Sequence, residues 1–404
     1  MDTAQRWVAA GVCAVAVSTI YAIQPVLGDV GVDLGLAPRS LGWLVAAGQI
    51  GYVGGLLLLV PLGDLVDRRR LIVGHLLLTA AGTTLVALAP TAVVAAVGAA
   101  IAGFFAVVVQ VTVAYAAAVS APRERGRTIG TVTSGVVFGI LGVRVLAGAL
   151  GDTVGWRAVY AVLALACVAL AVTARLVLRP DPRVSAPRYG EVMASMARLT
   201  RDRLFLGRGL VTFFVFASFG TLWSGLALPL GAEPWSLGST AIGLFGVLGL
   251  AGALGAARAG RWADAGHART TTGWSLALLV ASWLLLGTTG STLLLFAVGV
   301  IALDFAVQAV HVTSQQLLTS ARPDRAGSVI GAYMVFYALG SALGAVTTTW
   351  TYTTWGWWAS CLTGALYALA ALGAHLLSAT PRRPPVDPAP VTTSPAGQGA
   401  AGST

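Results

Sequence analysis

Runs of about twenty residues with almost no charge recur along this chain. They lie near 7–28, 41–62, 71–90, 92–119, 128–150 and 158–178, and again near 209–231, 238–259, 271–289, 292–318, 326–350 and 357–378. A helix needs roughly 20 apolar residues to cross a bilayer. Lipid offers backbone groups no partner, so a spanning segment must be a helix or part of a closed barrel. Twelve such runs predict an all-α polytopic membrane protein with twelve transmembrane helices. Composition agrees: 57% of residues are apolar and 10% charged, where soluble domains carry about 25% charged residues.

The basic residues, all arginine, set a direction. Alternate connections hold Arg68, Arg69 and Arg70; Arg123, Arg125 and Arg127; Arg258, Arg261 and Arg269; Arg322 and Arg325, while the opposite ones hold only Arg39 and Arg157. By the positive-inside rule, the arginine-rich connections and both termini are expected in the cytoplasm, and the chain in a cell (inner) membrane. The formal charge of +10 is spread between apolar runs rather than gathered on one face, which argues against nucleic acid. The first residues begin like a signal peptide, but the apolar run continues too far, so it reads as the first span. Cys13, Cys167 and Cys361 stand far apart in apolar stretches, and no metal spacing or cofactor motif is visible. The expected organisation is a six-helix bundle over 1–178, a cytoplasmic linker over 179–208, a second bundle over 209–378 and a disordered tail over 379–404. The middle of the linker could form a short amphipathic helix on anionic headgroups. The tail is rich in Pro and Gly and too poor in apolar residues to fold.

The two halves repeat. At a constant offset of 201, Phe104 matches Phe305, Val111-Thr112 matches Val312-Thr313, and Pro122 matches Pro323. Gly126 matches Gly327, Gly139 matches Gly340, and Gly155-Trp156 matches Gly356-Trp357. The connection "GDLVDRRRL" recurs as "GRWADAGHAR", pairing Gly63 and Asp67 with Gly260 and Asp264. A six-helix unit repeated in the same topology is a parallel repeat. "GDLVDRRRL" resembles the signature between helices 2 and 3 of the major facilitator superfamily, and with "YAIQP" in helix 1 the chain is similar to its bacterial drug and sugar efflux branch. The resemblance implies two pseudo-symmetric bundles rocking about a midplane site, a monomer, and transport rather than enzymatic catalysis. It also implies a gating role for Asp67 and Arg68.

Ionisable groups inside the membrane are functional candidates by default. Asp304 is the acid nearest the middle of a run, with Gln308 and His311 four and seven residues on, placed on one helix face. Arg144 interrupts "VVFGILGVRVLAGALG". Counted at 1.5 Å per residue, it lies about 10 Å, and Asp304 about 20 Å, from the same membrane face. Across the two halves Arg144 could reach toward Asp304 despite that gap, and these two with His311 are the candidates for proton coupling. The resemblance assigns cavity walls mainly to helices 1, 4, 7 and 10. This points to Tyr21, Gln24, Gln49, Gln110, Tyr115, Trp223, Tyr333 and Tyr337, whose aromatic faces and uncharged polar ends suit amphipathic organic molecules. The expected activity is export of a small organic molecule (drug-like compound, sugar or metabolite) in exchange for protons. The alternative is proton-coupled import of such a solute.

Overall fold

In the computed structural model all residues are described except 122–123, 182–188, 289–291, 323–325 and 379–404. The first half comprises α1 (Thr3–Tyr21), α2 (Leu27–Asp33), α3 (Leu41–Leu58), α4 (Arg68–Ala87), α5 (Ala92–Phe105), α6 (Val108–Val119), α7 (Arg125–Val154) and α8 (Trp156–Val177). After α9 (Tyr189–Leu199) the second half comprises α10 (Arg203–Gly225), α11 (Ala227–Gly231), α12 (Ser239–Leu248), α13 (Leu250–Trp262), α14 (Ala268–Leu286), α15 (Leu293–Ala321), α16 (Ala326–Trp355) and α17 (Trp357–Leu377). Among the described residues nine helices are long and apolar enough to cross a membrane. The α1–α2 pair, α12 with α13, and α14 complete the twelve spans. Interruptions fall where the backbone cannot continue easily: Pro25 lies between α1 and α2, and Gly249 between α12 and α13.

Helix ends differ from the sequence estimate. The apolar runs fade near 150 and 350, yet α7 continues to Val154 and α16 to Trp355. Each then stops at a glycine with positive φ, Gly155 at 98° and Gly356 at 82°. Side chains other than glycine rarely adopt such a φ, so the two matching glycines make the same sharp turn in both halves.

Small residues let the helices touch backbone to backbone, as is usual where lipid supplies no hydrophobic drive. In the 201 register, Gly42, Gly48, Gly51 and Gly54 of α3 correspond to Gly243, Gly249, Gly252 and Gly255 of the α12–α13 span. The packing corresponds as well. A Cβ on Gly42 would lie 2.8 Å from the Ala345 carbonyl carbon, and one on Gly243 3.2 Å from that of Arg144. Since 144 and 345 also differ by 201, α3–α16 and α12–α7 are the same joint made twice.

These two joints hold the halves together. The α3–α16 contact is extensive, whereas α7 packs along α12 and barely meets α13. Closure along α7 is therefore confined to the end of the bundle away from the termini. There Asp152 of α7 accepts hydrogen bonds from Ser239 N at 2.9 Å and Thr240 N at 2.8 Å, and Asp29 accepts one from Ser239 Oγ at 2.9 Å. No side chain within α12 caps its own N-terminus, so a carboxylate of the opposite half supplies the cap.

The α9 helix does form in the linker, but it rests on the protein: it packs against α16 and the turn Val60–Asp64, and Tyr189 Oη donates to the Leu58 carbonyl at 3.0 Å. Arg208, counted in the sequence with the linker, is instead 2% exposed within α10, with Nη1 3.4 Å from Thr272 Oγ1. The tail beyond 378 lies outside the described residues.

Candidate functional site

Arg144 is 2% exposed, in the middle of α7. It stands ten residues from Val154, and Asp304 stands eleven from Leu293, the start of α15. At 1.5 Å per residue both lie about 15 Å from that end. The depth gap expected from the sequence is absent because α7 is longer than its apolar run. The two charges nevertheless form no direct bond. Arg144 lays its guanidinium carbon 3.4 Å from the ring centroid of Trp223 and gives Nε and Nη2 to Gln24 Oε1 at 3.2 and 3.1 Å. The Tyr21 ring lies 5.9 Å from the same guanidinium carbon, measured to its centroid. Trp223 donates its Nε1–H to Asp304 Oδ1 at 2.9 Å. A cation from the first half and an anion from the second thus share one indole.

The surrounding glycines make this possible. A Cβ on Gly246 would sit 2.9 Å from Arg144 Cβ and 3.0 Å from its Cδ, and one on Gly249 would sit 2.9 Å from Asp304 Oδ2. The repeat shows what these positions hold in the absence of a charge: Ala345 matches Arg144, Val45 matches Gly246, and Gly103 matches Asp304. Where the α3–α16 joint has Val45 and Ala345, the α12–α7 joint has Gly246 and Arg144. The glycine ladder carrying this exchange is readable in the sequence at the same offset of 201.

The remaining candidates divide into groups. Tyr21 Oη hydrogen-bonds Tyr337 Oη across the halves. Gln49 reaches Tyr21 and leaves its Oε1 unpartnered, and Gln110 donates to Tyr52 Oη at 2.7 Å. His311 is bonded through Nδ1 to Tyr333 Oη at 3.1 Å and through Nε2 to Gln315 at 3.0 Å, while Thr212 also donates to Tyr333 at 2.8 Å. His311 therefore does not join Asp304. Gln308 stays on the side of Asp304, with its Cγ over Gly252, one turn along from the Gly249 that faces Asp304 Oδ2. The shared face read from i, i+4, i+7 spacing splits at His311, whose ring nitrogens turn to Tyr333 of α16 and to Gln315. Tyr115 is not with the others either: its hydroxyl bonds both N and O of Arg179, each at 3.0 Å, at the start of the linker.

The connection between α3 and α4 is a closed cluster within the first half. Asp67 caps α4 by accepting from Arg69 N at 2.9 Å and also takes Asp181 N at 3.2 Å; Arg68, 7% exposed, pairs with Asp181 at 3.1 Å. Its supposed equivalent folds differently. Gly63 lies in the tight turn Val60–Asp64, whereas Gly260 is inside α13 and Asp264 lies in a wide helical turn, Ala263–His267, ahead of α14.

The central group is nearly sealed. The cavity bordered by Gln24, Arg144, Trp223 and Ile242 has about 10 Å³ for a water-sized occupant, close to the minimum for one water. A larger guest must displace these side chains.

Comparison with known proteins fits this architecture. The family model of the Major Facilitator Superfamily matches residues 8–345 and 208–401. The chain belongs to this superfamily. It is 37% identical over 361 residues to an uncharacterized transporter, YgaY, of Escherichia coli O157:H7, covering 88% of this chain and 91% of that protein. It is 29% identical over 247 residues to a chloramphenicol resistance protein of Streptomyces lividans, covering 55% of this chain and 61% of that one. Among solved structures, it is similar to a bacterial homolog to the human lysosomal transporter Spinster in an inward-facing and occupied conformation. The TM-score is 0.73 at 14% identity, over 92% of this chain and 93% of the other. As a member of the superfamily the chain is a multi-pass membrane transporter. The predicted two-bundle fold and the family resemblance stand.

Proposed function

We propose that the protein exports a small organic molecule in exchange for protons by alternating access. The meeting of Arg144 and Asp304 on Trp223 carries this reading. The three side chains come from both halves, at mid-depth, where the halves close on one another. When the halves part, Arg144 leaves Asp304, and the carboxylate is free to take a proton; when they close, the guanidinium returns and the proton leaves. A ligand can drive such an equilibrium only through its differential affinity for the two states. The arginine-rich connections favour cytoplasmic termini in a cell membrane. The closed end, with Asp29 and Asp152, then faces outward. Resemblance to a chloramphenicol resistance protein favours export over import.

The test is compound accumulation in a host stripped of its own pumps. It would express wild type, Asp304→Asn or Arg144→Ala at matched membrane levels, against a panel of drugs, dyes, sugars and amino acids. The expected result is lower accumulation of at least one compound with wild type, abolished by collapsing the proton gradient and by Asp304→Asn. Raised accumulation would make the protein an importer. Full activity in Asp304→Asn would remove the carboxylate from the mechanism.

A further inference from the structure

The central charges are satisfied in an unusual way, and it specifies what replaces their partners. Arg144 spends two of its donors on one neutral amide oxygen, Gln24 Oε1, and Asp304 accepts from one neutral donor, the Trp223 indole N–H. Both ions are buried, at 2% and 4% exposure. Each of these bonds already has one ionised member, but an oppositely charged partner would add a Coulombic attraction that a neutral amide or indole does not supply, so each ion is held by a weaker partner than it could have. The two do not bond each other: the guanidinium lies over the face of the indole and the carboxylate at its N–H edge. The amide oxygen occupies the place of an anionic oxygen, and the indole N–H that of an ammonium N–H.

We propose that the transported compound is a zwitterion: its anionic group replaces Gln24 on Arg144, and its ammonium replaces the Trp223 N–H on Asp304. This rests on the transport reading above. A singly charged guest satisfies one ion and meets the other as a like charge in a site with room for hardly one water. A neutral guest exchanges neutral partners for neutral partners and gains nothing electrostatic. Only a guest with both signs improves both bonds at once. Protonation of Asp304 removes the ammonium subsite and leaves Arg144 uncompensated, so proton and zwitterion compete for one carboxylate.

The probes are amino acids of several sizes, from alanine to tryptophan, with β- and γ-amino acids. Each is offered as the free zwitterion, the methyl ester (cation), the N-acetyl acid (anion) and the N-acetyl ester (neutral). Binding is read as thermal stabilisation of the purified protein, and flux in proteoliposomes with an imposed proton gradient. The zwitterion of at least one scaffold is expected to bind roughly 10- to 100-fold more tightly than its singly charged forms, the range for one lost charged hydrogen bond. Arg144→Gln should shift preference to the ester, and Asp304→Asn to the N-acetyl acid. The reversed preferences themselves guard against loss of fold, since a variant that no longer folds binds neither the ester nor the N-acetyl acid. Preference of the wild type for any ester, acid or neutral form, or no stabilisation by any zwitterion, overturns the proposal. Proton-driven flux of a neutral or singly charged probe sinks it while leaving proton exchange standing; zwitterion binding without proton-driven flux does the reverse.

Discussion

The cap that Asp152 places on α12 exists only while the halves are closed at the end away from the termini, so its free energy enters the conformational equilibrium directly. Asp152→Ala removes two hydrogen bonds, from Ser239 N and Thr240 N. Loss of an N-cap costs about 0.5–2 kcal/mol, and the carboxylate's attraction to a helix N-terminus adds about 0.3–1 kcal/mol when exposed. Asp152 is exposed, and water screens its charge, so a total of roughly 1–2 kcal/mol is appropriate. That corresponds to a shift of about 5- to 30-fold toward the state open at this end. Asp152→Asn keeps one acceptor and loses the charge, and should fall between wild type and Ala. Gly238 is part of the same joint, since a Cβ there would lie 3.2 Å from Asp152 Oδ2. The assay is a distance distribution between spin labels on Val154 and Ala232, in opposite halves, in a background without the three buried cysteines. The wild type should populate mainly the short distance, and Asp152→Ala should transfer population to the long one. An unchanged distribution in Asp152→Ala would refute the reasoning.

Two further predictions follow from the geometry. Gly246→Val overpacks Arg144 and should destabilise the protein by about 1–3 kcal/mol. Adding Arg144→Ala reproduces the Val45 and Ala345 composition of the α3–α16 joint and should restore most of that loss in a chemical unfolding experiment, without restoring transport. At the end away from the termini, Arg157 bonds Asp33 and holds its carboxyl below the usual carboxylate range, with Trp156 Nε1 also donating to it at 3.2 Å. A lowered native pKa contributes stability above the unfolded value, near 4, that is lost as pH falls through the native one. The melting temperature gap between wild type and Asp33→Asn should therefore be constant near neutrality and close only in acid below about pH 4.

The spans were legible because hydrophobicity over twenty residues is a local property that the bilayer reads directly. Arg144 and Asp304 were legible for the same reason, as exceptions inside such runs. Their relation was not. It depends on four extra residues at the end of α7, which move Arg144 to the depth of Asp304, and on the side-chain direction of Trp223, which no pattern along α10 reveals. Tyr115 bonds the start of the linker rather than the central group, because helix membership says nothing of height in the bundle. His311 turns to Tyr333 and Gln315 rather than to Asp304 because one face of a helix in a bundle meets several neighbours.

The repeat explains why the site stands where it does. Two copies of one unit make the same joint at Gly42–Ala345 and Gly243–Arg144, and symmetry alone would put a small apolar pair in both. One copy keeps Val45 and Ala345; the other has exchanged volume from α12 to α7, so that Gly246 makes room for a guanidinium. In α15 the same logic replaces Gly103 by Asp304, with Gly249 of the facing span making room for the carboxylate. Each buried charge thus stands where the repeat has a small residue, and each was accommodated by a glycine on the neighbouring helix rather than by a new cavity. A rocking scaffold needs both halves alike in backbone packing, while coupling needs them unlike in charge. Placing the unlike residues at positions where the backbones already touch gives any movement of the halves an immediate effect on the distance between Arg144 and Asp304.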